Sequence, residues 1–222
     1  MSSITYKRAT EYADPDSVIS QAVPWVMAAS YPYYEWLLGT PELAQASVTR
    51  WMKRPSSELY IRRVRFVLID SEIAGGYLGM SGRELKKARM ADAEALWSES
   101  EPTGRAALLK RIASTSNLFP PVSDDDFYMS KFGLNPVARG RGRAWRIAKE
   151  ALRDVFSQGY SRLRLDVRAD NDVAIRIYQA LGCELIHTAQ SADGQLKYQS
   201  MTITREAAEN GRAELEVSNQ VS

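Results

Sequence analysis

The sequence holds a single cysteine, Cys183, and a single histidine, His187, among its 222 residues. One cysteine excludes a disulfide framework, so a reducing, cytoplasmic setting is expected. The same scarcity removes thiolate and imidazole metal centres. Any metal would have to be held by carboxylates alone, and no CxxC or HExxH spacing occurs. No apolar run approaches the ~20 residues of a membrane span. The opening MSSITYKRAT has no apolar signal core, so neither membrane insertion nor export is expected. Net charge is only +2, which argues against a nucleic-acid binder acting through overall charge. What basic character exists is concentrated in one place.

That place lies within residues 126–152, DFYMSKFGLNPVARGRGRAWRIAKEAL. Phe127 to Leu134 reads as a buried strand, stopped by Asn135-Pro136 because proline cannot continue a ladder. From Ala144 onward, Ala148, Ala151, Leu152 and Val155 recur at helical spacing, with Arg146, Lys149 and Arg153 outside. Between strand and helix stands Arg139-Gly140-Arg141-Gly142-Arg143-Ala144. It joins unpaired N–H groups, the positive end of a helix dipole and three guanidinium groups, a combination that attracts oligophosphate.

Upstream, Ile4–Thr10 alternates as a first strand, and Asp14-Pro15-Asp16 caps a helix with Val18, Ile19, Ala22, Val23, Val26 and Met27 on one face. Pro24 is expected to kink or divide that helix. An aromatic knot, Tyr31 to Trp36, separates it from a second helix, capped by Thr40 and running to about Met52. Leu59–Asp70 and Ile73–Met80 read as strands joined at Asp70-Ser71-Glu72. The arginines of the first are expected to be solvated, and Gly75-Gly76 to mark a bulge or close backbone approach. Residues 83–125 read as a helical insert over one edge of the domain. Downstream come a strand at Arg162–Val167 and a helix begun by Asp170-Asn171 and closed by Gly182. A final antiparallel pair, Glu184–Ala189 and Lys197–Thr204, follows, with a type I′ turn expected at SADGQ. The layout gives one domain over residues 1–206 and a polar, frayed tail over 207–222.

This order, with the basic turn after the fourth strand, resembles the GNAT N-acetyltransferase superfamily. The resemblance rests on the RGRGRA loop, matching a Gln/Arg-x-x-Gly-x-Gly/Ala phosphate motif, and on Val167, Asn171, Ala174, Ile177, Tyr178 and Gly182 at the family's spacing. It implies an α/β (α+β) fold: a mixed, mostly antiparallel sheet of about seven strands, splayed between strands four and five and flanked by helices. The insert has no counterpart in the basic family pattern. The resemblance further implies acetyl-CoA as donor and a primary amine as acceptor, a small molecule more than a protein. By the same token, backbone groups of Phe132, Gly133 and Leu134 would meet the pantetheine arm, and one N–H there, carried by Leu134, would polarise the thioester carbonyl. Main-chain N–H groups from Arg139, Gly140, Arg141, Gly142, Arg143 and Ala144 would hold the pyrophosphate. Asn171 would bond the pantetheine arm, and Tyr178 would protonate the departing thiolate.

The chain departs from some relatives at the general base. Where many carry a glutamate on strand four, this chain has Tyr128, which is no base at neutral pH unless strongly perturbed. Asp126, two residues earlier on the same face, could act through water, so the base stays unassigned. The bland readings are a solvated arginine loop, a core Tyr178, Asn171 as a helix cap, a structural His187, a small buried Cys183 and a knot that is only core. The rival function is a non-catalytic module whose RGRGRAWR turn contacts nucleic acid or an acidic partner; a third keeps the fold but uses another acyl-CoA. No residue pattern decides whether the chain forms a homodimer.

Overall fold

The β-branched and aromatic runs pair into one sheet in the computed structural model, which describes residues 3–140 and 142–210. Its strands are β1 (Ile4–Arg8), β2 (Val64–Ile69), β3 (Glu72–Ser81), β4 (Phe127–Leu134), β5 (Arg162–Arg168), β6 (Glu184–Gln190) and β7 (Lys197–Thr204), in the spatial order β1-β2-β3-β4-β5-β7-β6. Every neighbouring pair is antiparallel except β4–β5, which is parallel. Helices α1 (Ile19–Ser30), α2 (Tyr33–Leu38) and α3 (Pro41–Lys53) precede β2, and α4 (Gly82–Glu99) and α5 (Arg105–Ser114) lie between β3 and β4. Helices α6 (Arg143–Ser157) and α7 (Asp172–Ala180) flank β5 in sequence. Two cores result. Trp25, Met52, Phe66 and Leu78 centre the one beneath α1–α3, and Ala151, Val155, Leu163 and Met201 centre the one beneath α6 and α7.

Several local expectations are revised. β1 stops at Arg8, because Glu11 folds back to accept the Arg8 N–H and closes a short 3-10 turn. Helix α1 runs through Pro24 undivided. The N–H that proline lacks would have met the carbonyl of Ser20, an exposed residue whose oxygen water can satisfy. The aromatic knot is itself helix α2, with Tyr34 edge-on to Trp51 at 5.7 Å and Tyr33 edge-on to Phe119 at 6.0 Å. The strand expected from Leu59 begins only at Val64. Arg63 donates to the carbonyls of Pro55 and Ser57 and holds the preceding segment as an inward-folded loop that carries Glu58. Arg65 of β2 is not solvated. It pairs with Asp154 of α6, which also accepts from the Tyr77 hydroxyl, and so ties that helix to the sheet.

Gly75 and Gly76 of β3 both sit against backbone: a Cβ on Gly75 would lie 2.2 Å from the Gly133 oxygen, and one on Gly76 2.6 Å from that of Arg65. The left-handed pair of a type I′ turn occurs at Asp70-Ser71 (φ 52° and 71°), not at SADGQ, where only Gly194 has positive φ. The insert does more than cover an edge. Leu96 and Leu108 enter the core beneath α1–α3, and Arg111 donates to the Leu37 carbonyl. Residues 205–210 are helical rather than frayed, with Arg205 donating to the carbonyls of Phe156 and Tyr160. Arg141 and the rest of the expected tail, 211–222, lie outside the described residues. No helix among the described residues is long and apolar enough to cross a membrane.

Candidate active site

Parallel pairing of β4 with β5 covers only Phe127–Met129 against Leu163–Leu165. Beyond it the strands part, and a cleft of about 490 Å³ opens between them, walled by β4, β5, α1 and α7. The Asn135 N–H points to β3, where the Ala74 carbonyl accepts it at 2.8 Å. By alternation the polar edges of Leu134 and Phe132 therefore face the wedge. The Leu134 carbonyl accepts instead from Arg139 Nε at 3.1 Å.

One end of the cleft runs to the basic turn. Gly140 and Gly142 have φ of +86° and +67°, left-handed conformations that suit glycine and sharpen the entry into α6. Among the described residues no side chain caps α6, and its first turn carries no acidic residue. Helix geometry leaves the N–H groups of Ala144 and Trp145 without intrahelical partners. Arg139 and Ala144 line the cleft, as do Phe132, Gly133 and Leu134. Arg143 donates to the Ala138 carbonyl at 3.3 Å.

Two residues of α7 also line the cleft. Asn171 is a helix cap, its Oδ1 accepting the Ala174 N–H at 3.2 Å. Tyr178 is half-buried between cleft and core, and burial, helped by neighbouring Cys183, pushes its hydroxyl above the usual phenol value. It therefore keeps its proton across the neutral range. Cys183 is buried, its thiol pushed up to about 12, which removes it as a nucleophile. His187 lies on β6, its ring 3.4 Å from the Asn117 carbonyl.

The two residues considered for the base do not meet the cleft. Asp126 precedes β4 at the end far from the wedge, where it is 3% exposed and pairs with Arg162 at 2.8 Å. Tyr128 is buried, and burial together with Asp166 raises its hydroxyl well above the normal value. It donates to Asp166 Oδ2 at 2.7 Å.

Asp166 does line the cleft. Leu163, Leu165 and Val167 of β5 face α6 and α7, so Arg164, Asp166 and Arg168 face the other way. Asp166 is held by two hydroxyls, Tyr128 and Ser200, with no cation bonded to it among the described residues. Beside it, the register shift of β4 against Leu78/Gly79 lets the consecutive Ser130 and Lys131 both reach Glu58. Arg89 of the insert helix approaches Glu58 at 3.5 Å and lies over the Tyr128 ring at 5.1 Å. Burial pushes the Glu58 carboxyl up, but Lys131, Arg89 and the Ser130 hydroxyl pull it below its ordinary value. Lys131 is pulled down by burial and by Arg89, against the opposing effect of Glu58.

Glu58, Arg89, Lys131 and Asp166 were not singled out in the sequence. For Asp166 a signal existed, a charge on the second face of a strand whose first face is apolar. For Glu58, Arg89 and Lys131 there was none, since simple alternation puts Lys131 on the face of Phe127 and Met129.

The sequence matches the model of the acetyltransferase (GNAT) family over residues 31–183, and the chain belongs to that family. No curated protein matches significantly. Among solved structures, an acetyltransferase superposes with a TM-score of 0.60 at 14% identity, covering 90% of this chain and 98% of that one. The aminoglycoside acetyltransferase AAC(6')-Ib in complex with coenzyme A gives 0.56 at 16% identity, covering 95% and 99%. A polyamine N-acetyltransferase of Drosophila melanogaster gives 0.54 at 16%, covering 91% and 100%. At these identities the likeness is one of fold.

Proposed function

We propose that the protein transfers the acetyl group of acetyl-CoA to a primary amine within a ternary complex. The observation that carries this reading is the Leu134 N–H turned into the wedge, close to a helix N-terminus that no side chain caps among the described residues and that has arginines beside it in sequence. One feature suits an extended amide-bearing arm and the other a pyrophosphate. Phe132, Gly133 and Leu134 would hold the arm, while Gly140, Gly142, Arg143 and Ala144, with Arg139 and Arg141, would hold the phosphates. Asn171 borders the arm. Acetyl-CoA supplies an activated acetyl thioester and a thiol leaving group.

The chain's own residues supply the rest. The Leu134 N–H would donate to oxyanion charge developing in the wedge. Asp166 would receive the acceptor's ammonium and take its proton, since its hydroxyl partners orient the carboxylate without neutralising it. Tyr178, protonated across the neutral range, would donate its proton to the departing thiolate as negative charge develops on the sulfur beside it.

Acetyl-CoA at millimolar concentration is expected to raise the melting temperature, and thiol release should follow addition of an amine. Absence of any stabilisation would sink the reading. Tyr178→Phe should bind acetyl-CoA as wild type does but turn over about 10- to 100-fold more slowly, less than the full range for proton transfer because a thiolate leaves readily. Equal turnover of variant and wild type would remove Tyr178 from the mechanism.

A further inference from the structure

We propose that the acceptor is a monoamine on an apolar body, and that Arg168 is the specificity-determining residue that excludes polycations. The inference rests on the transferase reading and deepens it. Its basis is the balance of charge around the cleft.

Two carboxylates line the cleft among the described residues, Asp166 and Asp170. Asp170 is already answered. Arg168 binds it with both arms of its guanidinium fork, Nε to Oδ1 at 2.7 Å and Nη2 to Oδ2. The fork is anchored in turn by the Tyr31 carbonyl at 3.3 Å, with the Tyr31 ring 5.4 Å away. Asp166 is thus the one lining carboxylate bonded only to neutral groups, which leaves a place for a single ammonium.

A second positive group on the acceptor would find no free carboxylate to receive it, because Arg168 already occupies Asp170 and Lys131 also lines the cleft. The adjoining cavity of about 310 Å³ shares Arg168, Asp170 and Tyr198 with it and adds Lys197, so the way outward brings a further cation and no further carboxylate. The remaining surface on the α1 side is apolar and aromatic: Trp25, Ala28, Tyr31 and Tyr198, of which Tyr31 is 56% exposed. Such a wall gains from an apolar body and offers a second ammonium nothing.

The test is acetyl-CoA-dependent thiol release at fixed ionic strength with phenethylamine, tyramine, agmatine and spermidine. Wild type should favour the two aromatic monoamines in kcat/KM by about tenfold or more, the scale at which like-charge rejection acts. Arg168→Gln frees Asp170 and should shift the ratio toward agmatine by about tenfold, a shift that high salt diminishes. Arg168→Lys, which keeps the cation but loses the two-armed hold on Asp170, should shift the ratio less than Arg168→Gln does, and a wild-type melting temperature in both variants checks that they fold. Preference of wild type for agmatine or spermidine overturns the inference and leaves the transferase reading intact, as does an Arg168→Gln ratio equal to wild type. Thiol release with none of the amines overturns both.

Discussion

Replacing Glu58 with alanine is expected to destabilise the fold by about 3–5 kcal/mol, the cost of removing one partner from a buried ion pair. For a chain of this size that corresponds to a fall in melting temperature of roughly 6–20 °C. Glu58 faces two cations, Lys131 and Arg89, and the side chains of Glu58 and Lys131 are each only 13% exposed. Without the carboxylate, Lys131 can shed its proton, toward which burial already biases it. Arg89 cannot, because a guanidinium stays charged in proteins. Thermal unfolding followed by circular dichroism decides the matter, and a melting temperature within two degrees or so of wild type would falsify this account of the cluster.

The same cluster sets a pH dependence. Glu58 is held below its ordinary value of 4.5 in the folded state. A carboxyl depressed by folding contributes stability in full above its unfolded value and loses it as pH falls through the folded one. The wild type should therefore lose stability below about pH 4.5, and Glu58→Gln, with no such group to titrate, should show a shallower acid limb. Identical limbs in the two proteins would place the acid sensitivity elsewhere.

Asp166→Asn is expected to lower turnover by roughly 10²- to 10⁴-fold, the usual contribution of a positioned proton acceptor. Acetyl-CoA binding should persist, since the phosphate turn and the Leu134 edge are untouched. The substitution preserves shape, with the amide oxygen able to accept from one of the Tyr128 and Ser200 hydroxyls and the amide NH2 able to donate to the other, so a gross fold change is not expected. The informative readout is kcat at saturating acetyl-CoA and amine, with acetyl-CoA affinity measured alongside. Turnover within about threefold of wild type would show that the amine loses its proton to solvent instead.

The cofactor half of the site was largely legible in the sequence, and the acceptor half was not. RGRGRA, the strand before it and the helix after it are contiguous, so local backbone preference nearly determines their geometry: a strand stopped by proline, two left-handed glycines and an amphipathic helix. Asn171 and Tyr178 share one short helix, and their spacing alone puts them on related faces. For the base, which stayed unassigned, alternation from Asp126 to Tyr128 takes no account of where the strand meets the cleft. Tyr128 turns to Asp166 within the protein, and Asp126 is consumed by Arg162 at the far end.

By itself, then, the sequence determined the strand–turn–helix unit and the order of elements that marks the family. Tertiary structure alone decided the acceptor side. Glu58 comes from the loop just ahead of the segment expected as a strand from Leu59, and Arg89 from the insert. Lys131 comes from beside a register shift in β4, Asp166 from the second face of β5, and Ser200 from β7. The physical reason is one of range. A turn or helix end is encoded by neighbours in the chain, whereas a buried charge cluster depends on strand register, where a one-residue shift re-aims the side chains that follow.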